Sequence, residues 1–161
     1  MPWLTDVEAQ WHLDKVRQAG TRRTVLLSHH QLFSAYEPIG GAAVNQHLLD
    51  TFREVLGQVA AWFWGHEHRL DFYAPYLGLG RGRCLGCSAI PVFVEHDHYD
   101  AKFDVPLVPD PGDPGNPIRL GDDGTVYNHA YAILRLDGPN ATVAYYQDSD
   151  ETQPLYQEAL S

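Results

Sequence analysis

Two short apolar runs, each ending in histidines, constrain the fold of this chain most strongly. The first is Thr24–His30 (TVLLSHH) and the second is Ala60–His68 (AAWFWGHEH). Between them, apolar residues recur at the three- and four-residue spacing of one helix face: Val44, Leu48, Phe52, Val55 and Val59. The pattern predicts a buried strand over Thr24–Ser28, a loop, a helix that ends near Gly57, and a second strand over Ala60–Trp64.

The helix between the two strands predicts that they are parallel, because such a crossover returns the chain in its original direction. Their carboxyl ends then meet at one edge of the sheet, where open α/β sheets bind ligands. Neighbouring strands lie about 4.8 Å apart, so we expect His29, His66 and His68 to share a metal site. An extended His66–His68 segment would turn both of its rings to one side, and neutral imidazole suits zinc, iron and similar metals.

The rest of the chain predicts further elements of an α/β fold. We expect a capped helix over Leu4–Gly20, in which Thr5 and Glu8 have the spacing of a capping box. Further along, the pattern predicts strands over Leu70–Leu77 and Arg83–Val94, an irregular stretch over 95–128, a hairpin formed by His129–Leu136 and Ala141–Gln147, and a frayed tail from Asp148.

Charge and hydropathy exclude several classes of partner. The net charge is −10, and it comes from the region after residue 94, because residues 1–94 carry as many basic as acidic side chains. Such an acidic surface repels phosphate backbones and argues against general nucleic-acid binding. The longest apolar run, Val59–Trp64, is too short to span a membrane. With no signal-peptide pattern and only two cysteines, we expect a cytoplasmic protein that does not bind membranes.

The two histidine blocks, LLSHHQ and GHEH, resemble the last two metal-binding blocks of the calcineurin-like metallophosphoesterases, the superfamily that includes purple acid phosphatases. The resemblance implies an α/β sandwich of two sheets flanked by helices, with two metal ions (Mn, Fe or Zn) around a bridging water or hydroxide. By that resemblance, His29 and His66 bind one ion and His68 binds the other. The implied activity is hydrolysis of a phosphoric ester, in which the ions activate the attacking water.

The family's earlier blocks, D-x-H, G-D and G-N-H, do not precede these histidines, and no D-x-H occurs in the sequence. We therefore interpret residues 1–161 as the C-terminal part of such a domain, a partial metallophosphoesterase sandwich that ends in a β-hairpin. The incomplete ligand set implies one metal ion or none, and doubtful turnover. It also leaves an apolar sheet edge, which we expect to pair with a second copy or with a chain that carries the missing half.

Two alternatives to the metallophosphoesterase interpretation stay open at this point. One is a non-catalytic, truncated module that binds a metal or a partner. The other is a mononuclear zinc hydrolase that uses water at a three-histidine site and cleaves carboxyl esters.

Several weaker candidates have a structural interpretation beside the functional one. Arg69 follows the histidine block directly and could clamp a phosphate, or be ordinary surface charge. His30 could contact substrate or be structural. The C-x-x-C pair Cys84 and Cys87 falls in a predicted strand, so we expect buried structural thiols. A further H-x-H at positions 96–98 is interpreted as a solvent-facing loop.

Overall fold

The computed structural model describes residues 3–96 and 99–160, which form two α-helices and two β-sheets. In chain order the elements are α1 (Asp6–Arg17), β1 (Thr24–Ser28), α2 (Gln46–Phe52), β2 (Val59–Trp64), β3 (Leu70–Tyr73), β4 (Gly82–Leu85), β5 (Ala130–Asp137), β6 (Asn140–Gln147) and β7 (Tyr156–Ala159). Short 3-10 turns cover Leu56–Gln58 and Val94–His96. The predicted α/β class is therefore confirmed.

The first sheet has the strand order β1-β2-β4-β3, and β1 pairs with β2 in parallel, as the sequence predicts. The register aligns Leu26 with Trp62 and Ser28 with Trp64, so the two strands end side by side. The backbone N–H of Gly65 then donates to the carbonyl oxygen of His29 over 3.1 Å. This pairing brings the two histidine blocks to the same edge of the sheet.

The prediction that β1 is a buried strand is wrong. β1 is half-buried at the edge of the sheet, and the side chain of Leu27 is 78% exposed. The reason is topological, because within residues 3–96 and 99–160 β1 has β2 on one side and no strand on the other. The apolar side chains of β1 are therefore only partly covered, although its sequence resembles that of a fully buried strand.

The helix between the two strands is shorter than its apolar spacing suggests. Asn45 caps α2 by accepting a hydrogen bond from the backbone N–H of Leu48, but the helix ends at Phe52, well before Gly57. The chain then tightens into the 3-10 turn over Leu56–Gln58, because β-branched and glycine residues near this point have low helix propensity. The apolar spacing continues past the helix because the side chains after it are also buried.

Both predicted strands that follow the histidines are cut short. β3 ends at Tyr73, just before Pro75, which cannot donate a hydrogen bond to a strand ladder. β4 ends at Leu85, before Gly86, whose backbone lies against the carbonyl group of Glu67 with no room for a side chain. The capping box of Thr5 and Glu8 and the C-terminal hairpin are confirmed.

The prediction of a frayed tail is also wrong. β7 pairs with β6, and Leu160 is fully buried. The guanidinium of Arg83 on β4 donates two 2.7 Å hydrogen bonds to the carboxylate of Glu158 on β7. This contact joins the last strand to the first sheet.

The first sheet is packed on both faces. One face contacts α1 and α2 through a core that includes Val16, Phe52 and Trp62. The other face packs against the second sheet, where the rings of Phe72 and Tyr145 meet edge to face at 4.7 Å. Neither helix in the described part of the chain is both long and apolar enough to cross a membrane.

Candidate functional site

Three histidines meet where β1 and β2 end. His29 and His30 follow β1 directly, and His66 follows β2 after Gly65. One ring nitrogen from each of these histidines lies within 4.8 Å of the other two. The closest approach is 3.2 Å, between Nδ1 of His66 and Nε2 of His29. We call His29, His30 and His66 the histidine cluster.

The backbone at His66 adopts the left-handed conformation, with φ of 65°, which is uncommon for residues other than glycine. The prediction of an extended His66–His68 segment is therefore wrong. The chain bends here instead, with hydrogen bonds from the N–H of Glu67 to the carbonyl of Gly65 (2.8 Å) and from the N–H of Arg69 to the carbonyl of Glu67 (2.9 Å).

The predicted ligand set of His29, His66 and His68 is brought together only in part. His29 and His66 are adjacent, but the third member of the cluster is His30, with its ring centroid 4.3 Å from that of His66. His68 is exposed and is not a member of the cluster. It lies beside His66 on the wall of a neighbouring cavity of about 300 Å³. In the sequence, His30 could be noticed only because it follows His29 directly at the end of β1. The bend at His66 is what brings the ring of His66 next to that of His30.

Two members of the cluster, His30 and His66, favour the neutral form of imidazole. Burial lowers the pKa of His30, and the nearby rings of His66 and His29 lower it further. Burial also lowers the pKa of His66, with additional contributions from His29 and His68. A neutral ring carries a lone pair on one nitrogen, which is the form of imidazole that binds metals.

Arg69, the predicted phosphate clamp, faces carboxylates. Its guanidinium lies 3.1 Å from Glu37, 3.7 Å from Glu67 and 4.0 Å from Asp71, and it stacks over the ring of Tyr36 at 4.4 Å. Arg69 is only 3% exposed. Its charge therefore compensates buried acidic groups behind the histidine cluster, although the side chain also lines the 300 Å³ cavity.

The two buried carboxylates beside Arg69 were missed by the sequence analysis. Glu67 accepts a 2.7 Å hydrogen bond from the hydroxyl of Ser34, and burial nevertheless raises its pKa to about 7. Burial and the charge of Glu67 also raise the pKa of Asp71 well above its usual range. Glu67 and Asp71 stand close in sequence to polar and charged residues, so no sequence signal marked them as buried.

The remaining candidates have structural roles or lie outside the described residues. Cys84 and Cys87 are free and buried, as predicted, and burial raises the pKa of both thiols. The thiol of Cys84 lies 3.5 Å from the carbonyl oxygen of Gly65 and 3.4 Å from that of Glu67, and so supports the bend. Of the second H-x-H, Asp97 and His98 lie outside the described residues.

Neither the protein-family models nor the curated proteins include a match to this chain. The resemblance to metallophosphoesterases therefore depends on the two histidine blocks in the sequence alone.

Proposed function

We propose that this protein binds a metal ion through His29, His30 and His66 and hydrolyses a phosphoric ester at that site. The observation that carries the proposal is the convergence of three imidazole nitrogens within 4.8 Å. In a tetrahedral zinc site, with Zn–N distances of about 2.0–2.1 Å, two nitrogen ligands lie about 3.3 Å apart. The 3.2 Å separation of His66 and His29 is close to that value, whereas the three donor atoms together lie only within 4.8 Å of one another, so the third nitrogen would have to move inward to complete the site.

The cluster also fits the chemistry of a catalytic site. The lowered pKa values of His30 and His66 keep their nitrogens available at neutral pH. Three protein ligands leave a fourth position open, as in catalytic zinc sites. A metal ion at such a site supplies Lewis acidity, which polarises a phosphoryl oxygen and activates water as the nucleophile.

The ligand type favours zinc or iron over manganese. Imidazole nitrogens suit zinc and iron, whereas manganese prefers oxygen ligands. We propose one ion per chain, because the nearest carboxylates, Glu67 and Glu37, contact Arg69. This differs from the pair of ions implied by the family resemblance, in which His68 would hold the second.

Membership of the metallophosphoesterase family remains part of the proposal. It is supported by the parallel pair β1 and β2, which carry the two histidine blocks at their carboxyl ends, and by the two packed sheets. The exposed edge at Leu27 supports pairing with another chain, either a second copy or one that carries the missing half.

A non-catalytic metal-binding module is the second candidate function. The observation that favours it is the position of Arg69, which contacts Glu37 and Glu67. Because Arg69 is paired with these carboxylates, it would not stabilise the charge of a phosphoryl group bound at the histidine cluster, and hydrolysis would lose that contribution.

The test is a metal titration combined with a hydrolysis assay. We expect the metal-free protein to bind one zinc ion, and the loaded protein to hydrolyse p-nitrophenyl phosphate. His66→Ala should abolish both properties, whereas His47→Ala, which removes an exposed histidine from α2, should change neither. Binding without turnover would favour the module, and absence of binding would overturn both candidates.

A further inference from the structure

An apolar cavity of about 210 Å³ adjoins the histidine cluster on the helical side of the first sheet. Its wall is formed by residues of the N-terminal segment, α1, β1, α2 and β2, among them Leu26, Phe52 and Trp62. His29 and His30 form another part of the same wall. Two members of the cluster are therefore shared between the candidate metal site and an apolar cavity.

Apart from the rings of His12, His29 and His30, the polar side chains that line this cavity are paired with other groups of the protein. The indole N–H of Trp62 donates to the hydroxyl of Ser28 over 2.9 Å, and that hydroxyl donates to the carbonyl of His30 over 2.7 Å. These polar groups are thus paired with one another. The rings of Phe52 and Trp62 meet edge to face at 5.1 Å and are almost fully buried, so they present a fixed apolar wall.

The size of the cavity limits what it can hold. An apolar cavity of about 150 Å³ in another protein binds benzene, and pockets for drug-sized ligands begin at about 300 Å³. A volume of about 210 Å³ therefore accommodates one aromatic ring or a short branched alkyl chain. A nucleoside or a sugar is disfavoured here because hydroxyl groups placed against this apolar wall would lose their hydrogen bonds to water.

We propose that this cavity binds the alcohol portion of the substrate, so that the substrates are phosphoric esters of small aromatic or branched alkyl alcohols. The inference rests on the proposed function, because the phosphoryl group would lie at the histidine cluster. In the reaction, the oxygen of water bonds to phosphorus, the bond from phosphorus to the ester oxygen breaks, and the alcohol leaves with a proton. The cavity would hold the leaving alcohol on the side of His29 and His30.

Binding of the alcohol can be measured without metal or turnover. We expect 4-fluorophenol to bind saturably to the metal-free protein and to shift the indole N–H resonance of Trp62 in NMR spectra, while glycerol does neither. Leu26→Phe fills the cavity and should weaken 4-fluorophenol binding at least tenfold. Leu26→Met nearly conserves the volume and should leave binding within about threefold of the wild type.

Hydrolysis provides the second readout. We expect kcat/KM for benzyl phosphate to exceed that for glycerol phosphate, whose leaving group has a similar basicity, at least tenfold, and Leu26→Phe to reduce this ratio towards one. Hydrolysis without such a preference, together with no binding of 4-fluorophenol by the wild-type protein, would overturn this inference and leave the proposed function standing. Binding of 4-fluorophenol without hydrolysis of any phosphoester would overturn the proposed function and uphold the ligand class of the cavity.

Discussion

Nδ1 of His66 lies 3.2 Å from Nε2 of His29, although the two residues are 37 positions apart in the chain. Parallel pairing of β1 with β2 accounts for most of this proximity, because it ends both strands at the same level. The left-handed backbone of His66 accounts for the rest. The candidate site thus depends on one strand register and one unusual backbone conformation.

The bend that carries His66 should tolerate no side chain at position 86. A Cβ at Gly86 would overlap the backbone carbonyl of Glu67, so Gly86→Ala must displace the Gly65–Arg69 segment. We expect a loss of about 1–3 kcal/mol in the free energy of unfolding, as for other overpacked sites. Denaturant titration measures the change. Gly80→Ala is the matched control, because an added Cβ meets nothing within 4 Å there, and an equal loss in both variants would contradict the prediction.

The contact between Arg83 and Glu158 should stabilise the last strand. Arg83 is 2% exposed and makes two hydrogen bonds to Glu158, so Arg83→Ala leaves this carboxylate with only Arg81 and the hydroxyl of Tyr145 as partners. We expect a loss of about 1–3 kcal/mol in unfolding free energy, the usual range for hydrogen bonds to a charged group. The exposed pair of Arg53 and Asp50 gives the comparison, since Arg53→Ala should cost less than about 1 kcal/mol. Similar losses in the two variants would argue against this role.

Ionisation of Glu67 should contribute a loss of stability as pH rises, opposite in sign to the contributions of His30 and His66, whose pKa values are lowered. Burial raises the pKa of Glu67 from 4.5 to about 7, so the folded state retains a proton that the unfolded state loses first. The resulting stability is fully present below pH 4.5 and is lost as pH approaches 7. The glutamine side chain in Glu67→Gln cannot ionise, so the free energy of unfolding of this variant should depend less on pH between 4.5 and 7 than that of the wild type. An unchanged slope in chemical denaturation at pH 5, 6 and 7 would contradict this assignment.

The exposed edge of the first sheet should promote association. Leu27 is 78% exposed on the edge strand β1, and a lysine at such a position discourages strand pairing. We therefore expect Leu27→Lys to shift the protein towards the monomer in sedimentation velocity. A wild-type protein that is already monomeric at all concentrations would contradict the prediction.

The sequence predicted those parts of the fold that depend on local patterns. The parallel pair β1 and β2, the capping box of Thr5 and the C-terminal hairpin each follow from spacing within a short stretch. β7 was not predicted from the sequence, because it is stabilised by hydrogen bonds from Arg83, a residue far from it in the chain, to Glu158. A contact between positions 83 and 158 leaves no periodic signal in either segment.

The candidate site could be located from the sequence, but its composition could not. The carboxyl ends of β1 and β2 were predicted as the site, and His29 and His66 do meet there. The choice between His30 and His68 depends on the positive φ of His66, which residue type does not predict. The half-buried surroundings of His30 and the carboxylates around Arg69 likewise follow from tertiary packing.

The most direct test of the account is anomalous X-ray diffraction at the zinc edge from crystals of the zinc-loaded protein. We expect one strong peak within bonding distance of ring nitrogens of His29, His30 and His66, and we expect this peak to be absent in His66→Ala. A zinc peak bound elsewhere, or the three rings ordered with no peak between them, would contradict it.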